Sequence, residues 1–401
     1  GLTAAGVELG ADLAPFVASW DPAVAGYAVL TLAAVAGSVL LAPRLLSPTL
    51  GPAGFAAASI VLALAMRLAL GIARTGPGGL DQVFDTSFEA KNEYLPSLPA
   101  IDVGGLGWFL DRFAELVPAL PVHSAGHPPG MLVALHAAGI DSPEGMAALT
   151  IAAGALTAPL TYWLARNLLD ESQARLAAIL FAFSTSAILH AAASADALFA
   201  LISTLAAALL LASAPLRAAG AMTLAIASFF SYASLGVGAW AALVVARRDG
   251  IRSALVMSGA CAVALVAFYA ALHALTGFDP LGAIKATEEV YRVSLARIRP
   301  YEFWVFGSPT AFLVALGLPI TWYAARAAGE RQSAALALAA VLVISALLGF
   351  SKAETERIWL FLAPLACVAA AQVLPRERLG LVLWLLAAQA LATELALDTI
   401  W

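Results

Sequence analysis

Long apolar stretches constrain this chain more than any other feature. A helix needs about 20 mostly apolar residues to cross a hydrocarbon core of about 30 Å. Only 12% of the residues are charged and 62% are hydrophobic, whereas a soluble domain carries about 25% charged residues. Most of the surface must therefore face lipid. We count twelve apolar stretches, several of them short, near residues 23–43, 53–74, 143–165, 173–190, 195–213, 216–231, 233–247, 251–274, 303–324, 332–350, 357–374 and 378–398.

These stretches are continuous, whereas a membrane β-barrel would alternate apolar and polar residues over about ten positions per strand. We therefore predict an all-α polytopic membrane protein, with about twelve transmembrane helices in a single domain over residues 1–401. Cys261 and Cys367 lie inside apolar stretches and predict packing rather than a disulfide. No cleavable signal peptide is expected. The net charge of -5 and the scattered basic residues argue against nucleic acid as a partner.

The basic residues predict how the chain is oriented, because short cytoplasmic loops are enriched in Lys and Arg. Eleven arginines fall on alternate loops and would be cytoplasmic, whereas nearly all carboxylates fall on the other loops. Both termini then lie outside, which suits an even number of spans in a bacterial inner membrane. The eleven are Arg44, Arg166, Arg175, Arg217, Arg247, Arg248, Arg252, Arg326, Arg331, Arg376 and Arg378.

Two long segments fall on the predicted outer side. Segment 75–142 is the first outer loop, and Trp108, Phe109 and Phe113 within it predict a short amphipathic helix lying on the membrane. Residues 129–140 are too few to cross comfortably and predict a re-entrant or juxtamembrane piece. In segment 275–302, apolar residues such as Leu281 recur at helical spacing while Arg299 lies off that stripe. This predicts a second interfacial segment.

The first outer loop combines carboxylates with aromatic residues. Each carboxylate alone reads most simply as part of a solvated loop face. An acidic, aromatic loop at a membrane also suits sugar binding and general-base chemistry, in which a carboxylate takes the proton of an acceptor hydroxyl. The candidate bases are Glu93, Asp85 and Asp81, and the candidate aromatic contacts are Tyr94 and Trp108.

The most distinctive string is His123-Ser-Ala-Gly-His-Pro-Pro-Gly130. Its ordinary interpretation is a helix start, because proline fits the first helical turn. A metal pair of His123 and His127 is the less favoured alternative, because the prolines break the helix directly after His127.

Other charged residues lie where lipid or a turn would surround them. Arg67 lies within a predicted span, which is costly without a partner or a wet cavity. Arg74 is seven residues further, on nearly the same helix face. Arginine pairs well with phosphate, although an ion pair within the protein explains Arg67 equally well. Asp196 reads most simply as an acid in a first helical turn. A short charged loop follows later in the chain and carries Lys352, Glu354 and Arg357.

Taken in order, these residues resemble the GT-C superfamily of membrane glycosyltransferases, which use lipid-phosphate-linked sugars. The pattern is a span, a large acidic outer loop, the string Gly126-His-Pro-Pro-Gly130, a span ending in Leu164-Ala-Arg-Asn-Leu168, and an outer turn with Asp196. The resemblance covers roughly residues 53–215. It departs from the family in an extra first span, 23–43.

The resemblance implies roles for individual residues. The family's first-loop acid falls on Asn92-Glu93-Tyr94, where many relatives have Asp-Glu, so Glu93 is the leading base and Asp85 and Asp81 compete with it. Asp196 corresponds to the second-loop acid. Basic residues near the outer end would bind the donor phosphate, and Arg67, Lys352 and Arg357 are the matches.

We therefore expect transfer of a sugar from a polyprenyl-phosphate donor to a lipid- or polymer-linked acceptor in the cell envelope. The Ala- and Arg-rich composition is typical of a GC-rich bacterium and suggests mannose or arabinose chemistry. No cofactor is certain. If a metal is needed, outer carboxylates would bind Mg²⁺ or Mn²⁺ through oxygen. The alternatives are a flippase or transporter for lipid or lipid-linked sugar, and a non-catalytic assembly partner.

Overall fold

The chain is almost entirely helical, and several helices are long and apolar enough to cross a membrane. The computed structural model describes residues 8–189 and 194–399, apart from the side chain of Leu295, and it is 79% helical. Residue 190, at the end of the predicted span 173–190, lies outside the described residues. Among these, five helices qualify as spans: Ala28–Leu46, Pro52–Gly71, Pro143–Arg166, Ile251–Thr276 and Arg376–Ala396.

Fifteen described helices have nine residues or more, and a two-stranded antiparallel sheet joins the two ends of the chain. The strands are Ser19–Trp20 (β1) and Leu397–Asp398 (β2). The helices are Ala28–Leu41 (α1), Pro52–Gly71 (α2), Gly130–Ala138 (α3), Pro143–Arg166 (α4), Glu171–Phe183 (α5), Asp196–Leu210 (α6), Ala214–Phe230 (α7), Leu235–Asp249 (α8), Ile251–Thr276 (α9), Pro280–Val293 (α10), Tyr301–Leu316 (α11), Leu318–Gly329 (α12), Ser333–Leu348 (α13), Ala363–Ala371 (α14) and Leu379–Ala396 (α15).

Helix α9 has a long, exposed apolar surface of the kind that lipid covers in membrane proteins. It has 26 residues and a mean hydropathy of 2.2, yet only 6% of it is buried inside the protein. Val263 and Val266 are each 70% exposed, and Leu275 is 83% exposed. An apolar surface of this length would drive aggregation in water. The helices and their exposed apolar surface are consistent with a helical membrane protein.

Helices α5 and α14 lie at the centre of the bundle. Every residue of α14 is buried, and so is every residue of α5 from Ala174 to Phe183. Alanine is the commonest residue of both helices, and small side chains let the helix backbones approach closely where lipid offers no hydrophobic drive to association.

The predicted span 303–324 is not one straight helix, because the chain bends by 113° between α11 and α12. Gly317 has a φ of 115° at the bend, a backbone conformation that favours glycine. The break leaves backbone N–H and C=O groups without partners in the helix, and lipid cannot form hydrogen bonds with them. Gln389 of α15 satisfies two of them, since its side-chain oxygen accepts from Leu318 N (2.9 Å) and its nitrogen donates to Val314 O (2.6 Å).

The predicted span 53–74 extends past the end of its helix. Helix α2 ends at Gly71, so Arg74 does not share a helix face with Arg67. Arg74 instead pairs with Asp21 (2.6 Å) and donates to Leu397 O in β2 (3.3 Å). It ties the N-terminal segment and the C-terminal strand together.

Many of the eleven arginines gather in loops that bond to one another, and we call these loops the arginine end. Arg175 donates to the carbonyl oxygens of Leu45, Ser47 and Leu50. Arg248 donates to Asn167 O (3.0 Å). These contacts bring several of the arginine-bearing loops together.

Segments 75–142 and 275–302, which contain none of the eleven arginines, contact each other. The aromatic residues of the first segment are not placed as predicted. The aromatic face of 106–116 packs inward: Phe109 and Phe113 are fully buried, and the Phe113 ring lies 6.1 Å from that of Phe278. Gly277 allows this contact, because a Cβ there would stand 2.2 Å from Asp111 Oδ1. In place of the one amphipathic helix expected on the membrane there are two short helices, Leu106–Asp111 and Phe113–Leu116, whose residues Phe109, Leu110 and Phe113 are buried against protein.

Candidate functional site

A cluster of buried charged side chains lies where segment 75–142, the start of α6, residue Arg299 and the loop 351–357 come together. We call it the buried charge cluster. Six members are buried, namely Glu89, Glu93, His123, Asp196, Arg299 and Arg357, and the seventh, Glu354, is half-buried.

Short helical turns bring Glu89 and Glu93 to the interior. Ser87 caps the turn Phe88–Asn92 by accepting hydrogen bonds from the N–H groups of Glu89 and Ala90, which competes with longer helix. Glu93 follows this turn in an extended conformation, with φ of -75° and ψ of -177°. The chain thereby directs Glu89 and Glu93 inward, where they are 9% and 1% exposed.

Glu93 is the least solvated acid of the cluster. Within the described parts of the chain neither of its carboxylate oxygens accepts a hydrogen bond. Burial raises its pKa, although the positive charges of His123 and Arg357 oppose this. A buried carboxylate without a donor is costly, so this group is free to accept a hydrogen bond from a ligand.

His123 stands between the two glutamates. Its Nε2 lies 2.9 Å from Glu89 Oε1 and 3.8 Å from Glu93 Oε1, and Asn92 donates to the other oxygen of Glu89 (3.1 Å). Burial acts to lower the pKa of His123, but the two carboxylates outweigh it, so the pKa rises. Burial likewise acts to raise the pKa of Glu89, but the bond to His123 and its charge lower it.

Arg357 joins the second acidic pair. Its Nη1 donates to Asp196 Oδ2 (2.6 Å) and its Nη2 to Glu354 Oε2 (2.9 Å). Ser194 supports Asp196 with a hydroxyl bond of 2.6 Å. Arg299 donates to the other oxygen of Glu354 (2.8 Å). Glu354 thus lies between two arginines, which overcome the effect of burial and lower its pKa to about 2.

The loop that carries Glu354 is strained. Ala353 and Glu354 have φ values of 66° and 58°, in the left-handed region that costs a non-glycine residue about 1–2 kcal/mol. Strain of this kind persists where surrounding contacts over-determine the conformation, and the ion pairs of Glu354 supply such contacts.

Aromatic rings form another wall of the cluster. The Tyr94 ring is 1% exposed and lies 6.2 Å from that of His123 and 6.4 Å from that of His127. His127 lies 5.2 Å from Phe199 of α6. Burial lowers the pKa of His127 to about 4, so this ring is neutral and can stack on a ligand or accept a hydrogen bond.

The structure brings together most of the candidate residues. Glu93 and His123 are in contact, Arg357 pairs with Asp196 and Glu354, and the charges of Arg357 and Asp196 act on Glu93. Lys352 lies at the rim: its carbonyl accepts from Arg299 (2.7 Å) and its Nζ donates to Ala296 O (3.4 Å).

Other candidates lie apart from these contacts. Asp85 is exposed and Asp81 is half-buried, and Trp108 is 44% exposed. Arg67 is fully buried inside α2, and none of its guanidinium nitrogens has a hydrogen-bond partner in the described residues. A Cβ at Gly154 would stand 2.7 Å from its Nε, so α4 accommodates the guanidinium only because residue 154 is glycine.

Two members of the cluster were not among the predicted site residues. Glu89 pairs with a histidine 34 positions away, and no local signal marks it. Arg299 was expected to lie off the apolar stripe of an interfacial helix. It is instead 6% exposed and bound to Glu354, because the helical pattern ends at Ile298 and the next residue turns inward.

The His-Pro-Pro string does precede a helix, since α3 begins at Gly130. His123 lies in the preceding helical turn Val122–Gly126, and His127 follows it in an extended conformation. No group of three or more His, Cys, Asp or Glu side chains spaced to hold a metal occurs among residues 8–189 and 194–399.

The cluster can perform acid–base chemistry. It combines an unbonded carboxylate of raised pKa, a histidine bridged to a second carboxylate, and an arginine held by two acids. Buried titratable groups with specific charge partners are typical of functional sites. Comparisons with protein-family models, with curated proteins and with solved structures found no match for this chain.

Proposed function

We propose that the chain is a GT-C-type glycosyltransferase that moves a sugar from a polyprenyl-phosphate donor to a lipid- or polymer-linked acceptor. The observation that carries the proposal is the carboxylate of Glu93, which is 1% exposed and without a hydrogen-bond donor among the described residues. The full predicted set of twelve spans belongs to this proposal, as does an outward-facing cluster in a bacterial inner membrane.

Glu93 acts as the general base. Its carboxylate takes the proton of the acceptor hydroxyl, the hydroxyl oxygen bonds to the anomeric carbon of the sugar, and the bond from that carbon to the phosphate oxygen breaks. The polyprenyl phosphate leaves with the electron pair. A base for this step must stand within hydrogen-bond reach of the hydroxyl, and neither oxygen of Glu93 accepts a hydrogen bond from the described residues.

Cationic groups stabilise the phosphate as it leaves. Arg357 is already bound to Asp196 and Glu354, so it mainly holds the cluster together. The Nζ of Lys352, by contrast, contacts a backbone carbonyl at 3.4 Å and forms no ion pair among the described side chains. Lys352 is therefore the best placed cation for the donor phosphate, and Lys352→Gln raises the KM for the donor more than it lowers kcat.

A flippase for lipid-linked sugar is the second candidate, and Arg67 favours it. Transporters place charged groups inside the membrane. Arg67 is a buried guanidinium without a hydrogen-bond partner among the described residues, within a helix that is long enough to span. The buried charge cluster favours the enzyme, because its charges gather at helix ends.

An assay with purified protein in liposomes distinguishes the glycosyltransferase from the flippase. Radiolabelled sugar on a polyprenyl-phosphate donor is followed both into acceptor glycan and across the bilayer, without ATP or an ion gradient. The enzyme forms a new glycosidic bond, and Glu93→Gln lowers that rate by about 10²–10⁴-fold. Glu115→Gln, whose side chain is 73% exposed in the same segment, is the matched control. Lipid movement without a new glycosidic bond selects the flippase.

A further inference from the structure

We propose that Glu93, His123 and Glu89 form a proton path, along which a proton taken up by Glu93 moves to His123 and leaves to water from Glu89. Its use in turnover rests on the proposed role of Glu93 as a base. The path itself rests on geometry, and it assigns His123 and Glu89 as positioning and proton-transfer residues.

Both carboxylates lie close to the same nitrogen of His123. His123 Nε2 lies 2.9 Å from Glu89 Oε1 and 3.8 Å from Glu93 Oε1. The same nitrogen can therefore give a proton to one carboxylate and receive one from the other. Asn92 holds the far oxygen of Glu89 at 3.1 Å, which keeps the near oxygen directed at the histidine.

Burial gives the path a direction. The exposed fraction of the side chain rises from 1% at Glu93 to 5% at His123 and 12% at Glu89. A general base must lose its proton before the next turnover, and Glu93 cannot release one to water directly. Glu89 is the most solvent-exposed group of the three.

The proton balance is simple. The proton on His123 Nε2 moves to the Glu89 carboxylate, and the proton on Glu93 then moves to Nε2. The products are an ionised Glu93, a protonated His123 and a protonated Glu89, which releases its proton to water. The charge of the three groups is unchanged until that release.

Neighbouring charges set the energetics of each step. Arg357 and Glu354 act on His123 in addition to the two glutamates, and the charge of His123 in turn acts on His127. Arg357 and Asp196 act on Glu93, and Glu354 acts on Glu89. Ser97 and Ser124, bonded at 2.7 Å, fix the turn that carries His123 to the segment that follows Glu93.

The test measures proton movement without any sugar. Infrared absorption of the protonated carboxyl of Glu93, assigned by its loss in Glu93→Gln, is followed after a rapid pH jump on purified protein in nanodiscs. We expect Glu89→Gln and His123→Gln to slow the appearance and decay of this band at least tenfold. Glu89→Asp restores part of the rate, and Glu115→Gln leaves it unchanged.

Unchanged kinetics in folded Glu89→Gln would overturn the path, whether or not the wild type transfers sugar. Should His123→Gln not fold, Glu89→Gln alone decides, because glutamine keeps the shape of the side chain. In the transfer assay we expect Glu89→Gln to lower kcat while leaving KM unchanged, with partial rescue by imidazole. Absence of transfer by the wild type together with slowed exchange in the variants refutes the proposed function and keeps the path.

Discussion

Arg357 and Arg67 are both almost completely removed from solvent, at 3% and 0% exposed, yet their surroundings differ in kind. Arg357 bonds to Asp196 and Glu354 and belongs to a network that also includes Arg299. Arg67 has no hydrogen-bond partner among the described residues and packs against Gly154 and, at 5.8 Å, the ring of Phe181.

The comparison shows two kinds of buried charge in this protein, one with ion-pair partners and one without such partners among the described residues. At the buried charge cluster the charge is compensated, so it organises several segments of the chain. Within α2 the charge is uncompensated, so it carries a free-energy cost that folding alone does not explain. Mutations at the two sites should therefore change stability in opposite directions.

The largest expected effect is at Arg357. Arg357→Met leaves Asp196 and Glu354 buried without their shared partner, and breaking a buried pair in this way costs about 3–5 kcal/mol. The free energy of unfolding, measured by denaturant titration in micelles, should fall by that amount. A loss below about 1 kcal/mol would mean that the cluster is not compensated as described.

Acid should weaken the same network. The two arginines lower the pKa of Glu354 from its usual value of 4.5 to about 2 in the folded protein. The stability that Glu354 provides is therefore complete above pH 4.5 and is lost as the pH falls toward 2. With about 1.4 kcal/mol per pKa unit, the free energy of unfolding of the wild type should exceed that of Glu354→Gln by about 3–4 kcal/mol at pH 6. A difference that stays constant down to pH 2 would contradict the ion-pair account.

Replacement of Arg67 should raise the stability of the protein, in contrast to replacement of Arg357. Arg67→Met removes an unbonded charge from apolar surroundings and keeps a long side chain, so we expect stabilisation by about 1–3 kcal/mol. Thermal unfolding in micelles measures it, with Arg112→Met, on an exposed side chain, as the control. A stability loss above 1 kcal/mol would show that Arg67 does have a compensating partner.

The smallest effect is expected in the strained loop. Ala353 has a φ of 66° and a buried side chain, so Ala353→Gly relieves strain of about 1 kcal/mol. The unfolding temperature should rise slightly. The same change at Ala363, inside the regular helix α14, should lower it, and equal signs at both positions would mean that the loop is not strained.

Local patterns were enough to predict several apolar helices and the proximity of Glu93, Asp196 and Arg357. These features depend on hydropathy, on short-range charge patterns and on one family-like string. The bend at Gly317 also had a local signal, Gly317-Leu-Pro319, but its stabilisation by Gln389 depends on another helix.

The remaining features required tertiary information. Glu89 and His123 are 34 positions apart, and Arg299 and Glu354 are 55 positions apart, so nothing in either local sequence indicates the pairing. Phe109 and Phe113 have the spacing of a membrane-surface helix, yet they pack on Phe278. An amphipathic pattern reports that one face is apolar, not whether lipid or protein covers it.

The central claim is that Glu93, rather than another first-loop acid, is the base of a sugar transfer. The most direct measurement compares initial transfer rates of Glu93→Gln, Asp85→Asn and Asp81→Asn in liposomes, at equal amounts of folded protein. The account predicts a loss of at least about 100-fold for Glu93→Gln and rates close to wild type for the two aspartate variants. Near-normal transfer by Glu93→Gln, with loss in either aspartate variant, would contradict it.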